Sequence, residues 1–219
     1  ELSSQYNVRG GSFDENSVYI NGIEVYRPFL VRSGQQEGLS IINPDMVGSI
    51  GFSTGGFEAK YGDKMSSVLD IRYKQPQKFE AKASASLLGA SAFVGFSRKN
   101  FSWSNGIRYK TNRYLLGTLE TKGEYKPNFL DYQTFLTYKP AKNWEISFIG
   151  DISESHYNFT PEDRETKFGT MESVRSFKVY FDGQEKDLFR TAFAAFSIKR
   201  SFGKNTNLKF TLSAFHTNE

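Results

Sequence analysis

The sequence predicts a mainly β chain: a transmembrane antiparallel β-barrel, represented here by about seven strands, preceded by a small α+β unit. Three observations predict it. From Phe79 onward, apolar and polar residues alternate with a period of two in seven separate segments. Most segments run roughly 9–12 residues, the length a tilted membrane-crossing strand needs. Their connections alternate between short (Arg98–Asn100, Lys139–Asn143, Ser201–Asn205) and long (Leu115–Leu130, Tyr157–Leu188). Short turns on one side and long loops on the other is the outer-membrane pattern.

The first unit, residues 1–75, is rich in glycine and turn signals. Val18-Tyr19-Ile20 and Ile23-Glu24-Val25-Tyr26 flank Asn21-Gly22, a pair that supplies the two positive φ values of a type I′ hairpin turn. Ser33 to Gly38 is a polar loop. Asn43 followed by Pro44 predicts a short helix start, the asparagine as cap and the proline at the first helical position. Strands are expected near Ser49–Ser53 and Val68–Tyr73, so the unit holds about four strands.

The second unit, residues 76–219, is the barrel part. Phe79, Ala81, Ala83 and Ala85 interleave with Glu80, Lys82 and Ser84. Ala92, Val94 and Phe96 follow. Then come Phe101, Trp103, Ile107 and Tyr109, whose interleaved partners include Arg108. Tyr132, Leu136 and Tyr138 alternate with Asp131, Gln133 and Thr137. Trp144, Ile146, Phe148 and Ile152 alternate with Glu145, Ser147 and Asp151. Two more segments run over Ala192–Ile198 and Leu208–Ala214. Phe101, Trp103, Tyr138 and Trp144 sit beside the short turns, where an interfacial aromatic girdle belongs. A soluble β-sandwich would have shorter strands, about 5–6 residues, and less regular loop asymmetry. Seven strands do not close a barrel of the even-numbered bacterial kind, and an open edge in hydrocarbon is costly. The sequence is therefore expected to continue at both ends.

Composition narrows the rest. The chain has 219 residues, 28 Lys and Arg against 24 Asp and Glu, and 21 Phe with 12 Tyr. Residues 1–78 carry eight basic and nine acidic groups, residues 79–219 twenty and fifteen. No basic cluster stands free of acids, so nucleic acid is not an expected partner. The chain has no cysteine, which excludes disulfides and thiolate metal sites. The longest weakly polar run, Ala83 to Phe96, is too short for a membrane helix of about 20 residues.

The local residues resemble the TonB-dependent receptors. Asn7-Val8-Arg9-Gly10-Gly11 is similar to a strand of that family's plug domain. Val18 to Val25 resembles its hairpin, and Ile42 to Ile50 its "l-n-p" stretch. Gly55 to Gly62 resembles its "G-x-x-x-a-x-Y-G" turn, and Ser67 to Ile71 its closing strand. These blocks occur in the family's order over residues 6–73, in wording most similar to Bacteroidota-type receptors. The resemblance implies a plug inside a barrel of about 22 strands. It also implies import of a scarce small ligand across the bacterial outer membrane, driven by an inner-membrane TonB complex. The segment that binds that complex is expected upstream of Glu1. Outer-membrane lipid is an implied partner, and a surface lipoprotein is a further one. Arg9 matches the first of two plug arginines that pair with barrel carboxylates in several members; Thr54 stands where the second would be. Asn21 replaces the family's usual aspartate, and the turn chemistry survives.

No enzyme is expected. Gly51-Phe52-Ser53-Thr54-Gly55 fits the G-x-S-x-G pattern, but a nucleophile elbow needs a helix after the serine, and residues 56–62 are too short and glycine-bounded. His156 and His216 are the only histidines, and Asp14, Glu15, Asp45, Asp63 and Asp70 lack the spacing of a calcium loop. No catalytic residue, metal site or cofactor is therefore assigned. Ligand contact is expected on the long-loop side, at Arg32, Gln35 and Glu37 of the first unit and at Tyr157, Arg164 and Lys167 of the last long connection. The alternative to an importer is a receptor-fold scaffold subunit within a larger outer-membrane secretion or assembly complex.

Overall fold

The computed structural model describes residues 6–25, 40–62, 66–111, 123–125, 128–161, 163–170, 173–180, 182–203 and 205–218. The plug opens with a one-turn 3-10 helix at Phe13–Glu15 and strand β1 (Asn16–Ile20). β2 (Ile23–Glu24) follows, then a second 3-10 turn at Pro44–Met46, then β3 (Val47–Ser53) and β4 (Ser67–Tyr73). The four strands form one sheet in the order β2-β1-β4-β3, with β1 parallel to β4 and the other pairs antiparallel. The expected α+β character shrinks to these two 3-10 turns among the described residues.

Local chemistry explains each feature. Asn21 and Gly22 take φ of 51° and 73°, as a type I′ turn requires. Asn43 caps the second 3-10 turn by accepting from the Asp45 N–H at 3.0 Å, with Pro44 at its start. Asn21 has a second task, because its Oδ1 accepts the Tyr73 N–H at 3.0 Å and ties the hairpin to β4. Asn21→Ala is therefore expected to cost about 1–2 kcal/mol of stability, from the left-handed backbone that alanine resists and the acceptor lost to Tyr73. Asn21→Asp should cost less. Thermal unfolding of the two variants side by side measures the difference.

The second unit is a meander. β5 (Glu80–Ser86), β6 (Gly89–Arg98), β7 (Phe101–Thr111), β8 (Gly123–Tyr125), β9 (Asn128–Tyr138), β10 (Trp144–Pro161), β11 (Arg164–Thr170), β12 (Ser173–Val179), β13 (Glu185–Phe202) and β14 (Thr206–Asn218) follow in order. Seven of them form an antiparallel sheet ordered β5-β6-β7-β9-β10-β13-β14, with β8 added beside the far end of β10. All seven expected segments are strands of this one sheet.

The expected long connection from Tyr157 to Leu188 is mostly strand instead. β10 and β13 are 18 residues each and stay paired from Trp144 opposite Arg200 to Phe159 opposite Glu185. Beyond them β11 and β12 form a separate hairpin. At roughly 3.3 Å per residue, strands of that length overshoot the ~30 Å hydrocarbon layer and carry the sheet past it. The two-residue turn at Leu87–Leu88 shows that this end also has one short connection.

The two faces of the sheet differ in the sense a membrane barrel requires. One face carries Val94, Phe96, Trp103, Ile107, Tyr109, Leu130, Tyr132, Tyr138, Ile152 and Phe196, from 38% to 66% exposed. Such an apolar expanse is not left facing water. The opposite face carries Ser104, Gly106, Arg108, Asp131, Gln133, Thr137, Asp151, Ser153, Thr191 and Ser197, buried against the plug or between strands. Its apolar members, Phe93, Phe135, Ile149, Phe193 and Ala195, join Val18, Ile20, Ile23, Val25, Ile41, Met46, Ile71 and Tyr73 of the plug in one cluster. The core of this molecule is thus the seam between plug and wall.

Candidate functional site

The seam is built where β7 and β9 lie against the plug segment from Ser40 to Met46. Gly106 on β7 makes the approach possible. A Cβ there would fall 2.6 Å from Asn43 Nδ2 and 3.1 Å from both Met46 Cγ and Sδ. Asn43 and Met46 are fully buried, so the space is already filled by the plug.

One turn of register away, Arg108 and Asp131 are direct cross-strand partners. The guanidinium holds the carboxylate in a fork, Nε to Oδ1 at 3.1 Å and Nη2 to Oδ2 at 2.7 Å. It then donates to the plug backbone, Nη1 to Ile42 O and Nη2 to Ser40 O, both at 3.0 Å. Gln133 completes the cluster. Its amide nitrogen donates to Ile41 O and to Asp131 Oδ2, and its oxygen accepts the Tyr73 hydroxyl at 2.8 Å. Burial pushes the Tyr73 phenol far above its ordinary value, so it stays a donor. Three consecutive plug carbonyls, at residues 40 to 42, are therefore held by the wall. A planar five-donor guanidinium is the side chain suited to serve a carboxylate and two carbonyls together.

A second set of contacts lies beside it. The Asp45 carboxylate accepts from Lys82 of β5 and from Ser91 of β6, the latter at 2.8 Å. Ser104 of β7 donates to Lys74 O at 3.0 Å, and Lys74 Nζ donates to Asp45 O at 2.9 Å. A third contact comes from β14, where Lys209 Nζ donates to Asn21 O at 3.1 Å. The hydrogen bond from Lys82 is the main reason the Asp45 carboxyl sits below its ordinary value. A depressed carboxyl contributes stability that is complete above the unfolded value of 3.8 and is lost as pH falls through the lower folded value. Acidification below about pH 4 should thus loosen residues 44–47 first. Asp45→Asn should abolish that pH step at a cost of less than about 1 kcal/mol, because Lys82 is well exposed. Amide exchange of these residues across the pH range reads both effects.

Between the plug and the turn end of the sheet lies a polar cavity of about 1130 Å³. Asn21, Lys60, Asp70 and Arg72 line it from the plug, and Glu145, Lys199 and Lys209 from the wall. Among the described residues no group of His, Cys, Asp or Glu could hold a metal ion.

The sequence-based site residues fall elsewhere. Arg9 is exposed, at φ 51°, with its guanidinium beside Gly55. Among the described residues no barrel carboxylate pairs with it. The buried Arg108–Asp131 pair lies entirely within the wall, and Asp45 of the plug pairs with Lys82 of the wall. Tyr157 is 2% exposed, inside β10 and opposite Asp187, so it does not face a ligand in solution. Arg164 and Lys167 are strand residues of the β11–β12 hairpin, opposite Val179 and Ser176. Arg32, Gln35 and Glu37 lie outside the described residues. Ser53 ends β3, and Gly55 and Gly56 at positive φ follow it where an elbow would need a helix.

Residues 1–68 match the family model described as TonB-dependent Receptor Plug Domain. A search of curated proteins finds no match. Among solved structures the chain is similar to a mutant of the ferric enterobactin receptor PfeA from Pseudomonas aeruginosa, at 14% identity and a TM-score of 0.48. That likeness covers 96% of this chain and 42% of the other, so the chain spans less than half of that receptor's length. Residues 1–68 thus match a TonB-dependent receptor plug domain, and the antiparallel sheet that follows them packs against that plug.

Proposed function

We propose that this protein is an importer of the bacterial outer membrane, drawing a scarce small ligand past the plug with energy supplied through TonB. The observation that carries the reading is the wall's grip on the carbonyls of Ser40, Ile41 and Ile42 by Arg108 and Gln133. Directional bonds from the wall to the plug backbone give the plug a defined seat that a pull on it would have to break together with the apolar seam. The polar cavity at the turn end offers a wet space on the far side of the plug.

Deleting the gene and growing the strain on single limiting nutrients tests the reading. Loss of growth on one nutrient class, restored by the intact gene, is expected. Normal growth on every limiting nutrient would sink the importer claim.

A further inference from the structure

The short turns at one end of the sheet carry charge of one sign. Arg98, Lys99, Lys139, Lys142 and Arg200 stand in or next to the β6–β7, β9–β10 and β13–β14 turns, and all are exposed. Residues 98–100, 139–143 and 201–205 contain no carboxylate. Lys139 reaches Glu145 on the plug-facing side at 3.5 Å. The other four make no ion pair among the described residues.

Their placement decides what they meet. Arg98 continues the outward row of Val94 and Phe96, and Arg200 that of Phe196 and Ile198. Arg200 lies over the rings of Trp144 and Phe202, at 4.9 and 4.5 Å from their centroids. Trp103 and Tyr138 stand on the same outward face next to these turns. Aromatic rings at this level mark the boundary between hydrocarbon and headgroups, and long cationic side chains extend from such a belt into the headgroup layer.

The opposite end is different. Residues 154–190 carry eight carboxylates against six Lys and Arg, and the exposed Arg190 and half-buried His156 there are both engaged by Glu154. The cationic row is thus a property of one rim and not of the sheet as a whole.

We propose that this rim binds the phosphates of anionic phospholipids in the leaflet on the turn side, through Arg98, Lys99, Lys142 and Arg200. The inference rests on the membrane-spanning reading above and adds to it a lipid preference and its residues. Charge complementarity selects the occupant: unpaired cations at headgroup depth meet phosphates, and an anionic lipid lacks the ammonium that neutralises a zwitterionic one.

The chain's only two tryptophans, Trp103 and Trp144, both lie at this rim and report on it directly. The protein is placed in nanodiscs mixing phosphatidylglycerol with phosphatidylcholine, with one lipid dibrominated at a time to quench tryptophan fluorescence. Quenching should show a preference for phosphatidylglycerol of about fivefold, weakened by salt. The preference should vanish when Arg98, Lys99, Lys142 and Arg200 are all changed to Gln. Lys99→Gln with Lys142→Gln, confined to exposed turns, should reduce it in part and guards against misassembly of the fourfold variant. Equal quenching by the two lipids overturns the proposal while leaving the membrane reading intact, and so does a preference unchanged in the variants. Absence of quenching by either lipid overturns both.

Discussion

Replacing Arg108 with Met is expected to release the plug from the wall. The change leaves Asp131, 1% exposed, as a buried carboxylate without its cation, and it leaves Ser40 O and Ile42 O without their donor. Removing one partner of a buried pair typically costs about 3–5 kcal/mol. Amide exchange should show it as lost protection in residues 40–46, with the outer part of the sheet unaffected. Arg108→Lys should rescue little, since an ammonium cannot fork a carboxylate and reach two carbonyls in the same plane. Coupling Arg108→Met with Asp131→Leu separates two contributions. It removes the stranded charge and should recover most of the stability, while the Ser40 and Ile42 carbonyls stay unheld. A protein that regains stability but keeps a loosened plug would show that the grip lies in the bonds from Arg108 to the backbone.

The second large effect is expected at Gly106. Leucine there would drive a side chain into space held by Asn43 and Met46, both fully buried. Overpacking of this kind costs about 1–3 kcal/mol. The plug segment is the movable partner, because the β7 backbone is pinned by ladders to β6 and β9. Pushing it away from the wall also lengthens the Arg108 bonds two residues along. Gly106→Ala should show the same change in smaller measure. Differential scanning calorimetry together with protease susceptibility of the 40–46 segment measures it. A variant as protected as the parent would mean that the 40–46 segment repacks freely around the wall.

The strands of the sheet were legible because lipid writes a strong pattern. A side chain facing hydrocarbon must be apolar while its neighbour faces a polar plug or water, so Tyr132 and Asp131, or Ile152 and Asp151, are unlike of necessity. That pressure ends where the sheet leaves the bilayer. Asn158, Thr160 and Asp187 lie in strands beyond that layer, and nothing in their order distinguishes strand from loop. The expectation of a long loop from Tyr157 to Leu188 failed for this reason.

The grip itself was not legible for a different reason. Arg108 and Asp131 were visible only as two polar residues in alternating segments; 23 positions separate them, and their meeting depends on the register of β7 against β9. One signal was available. Each is a charged residue on the inward face, and opposite charges on adjacent inward rows invite pairing. Arg9 was singled out by family resemblance, which carries a residue's role but not its partner. Hairpin and cap chemistry were read correctly at Asn21-Gly22 and Asn43-Pro44 because turns are decided locally.

One face of the sheet meets lipid while the other cradles the plug, and the absence of native cysteines makes this directly measurable. Single cysteines are placed along β9, at Leu130 and Tyr132 on the outward row and at Phe135 and Thr137 on the inward row. In the bilayer, Leu130→Cys and Tyr132→Cys should react with a lipid-soluble maleimide and not with a membrane-impermeant one. Phe135→Cys and Thr137→Cys should react with neither while the plug is seated. Rapid labelling of the outward pair by the impermeant reagent, as for any water-exposed strand, would contradict it.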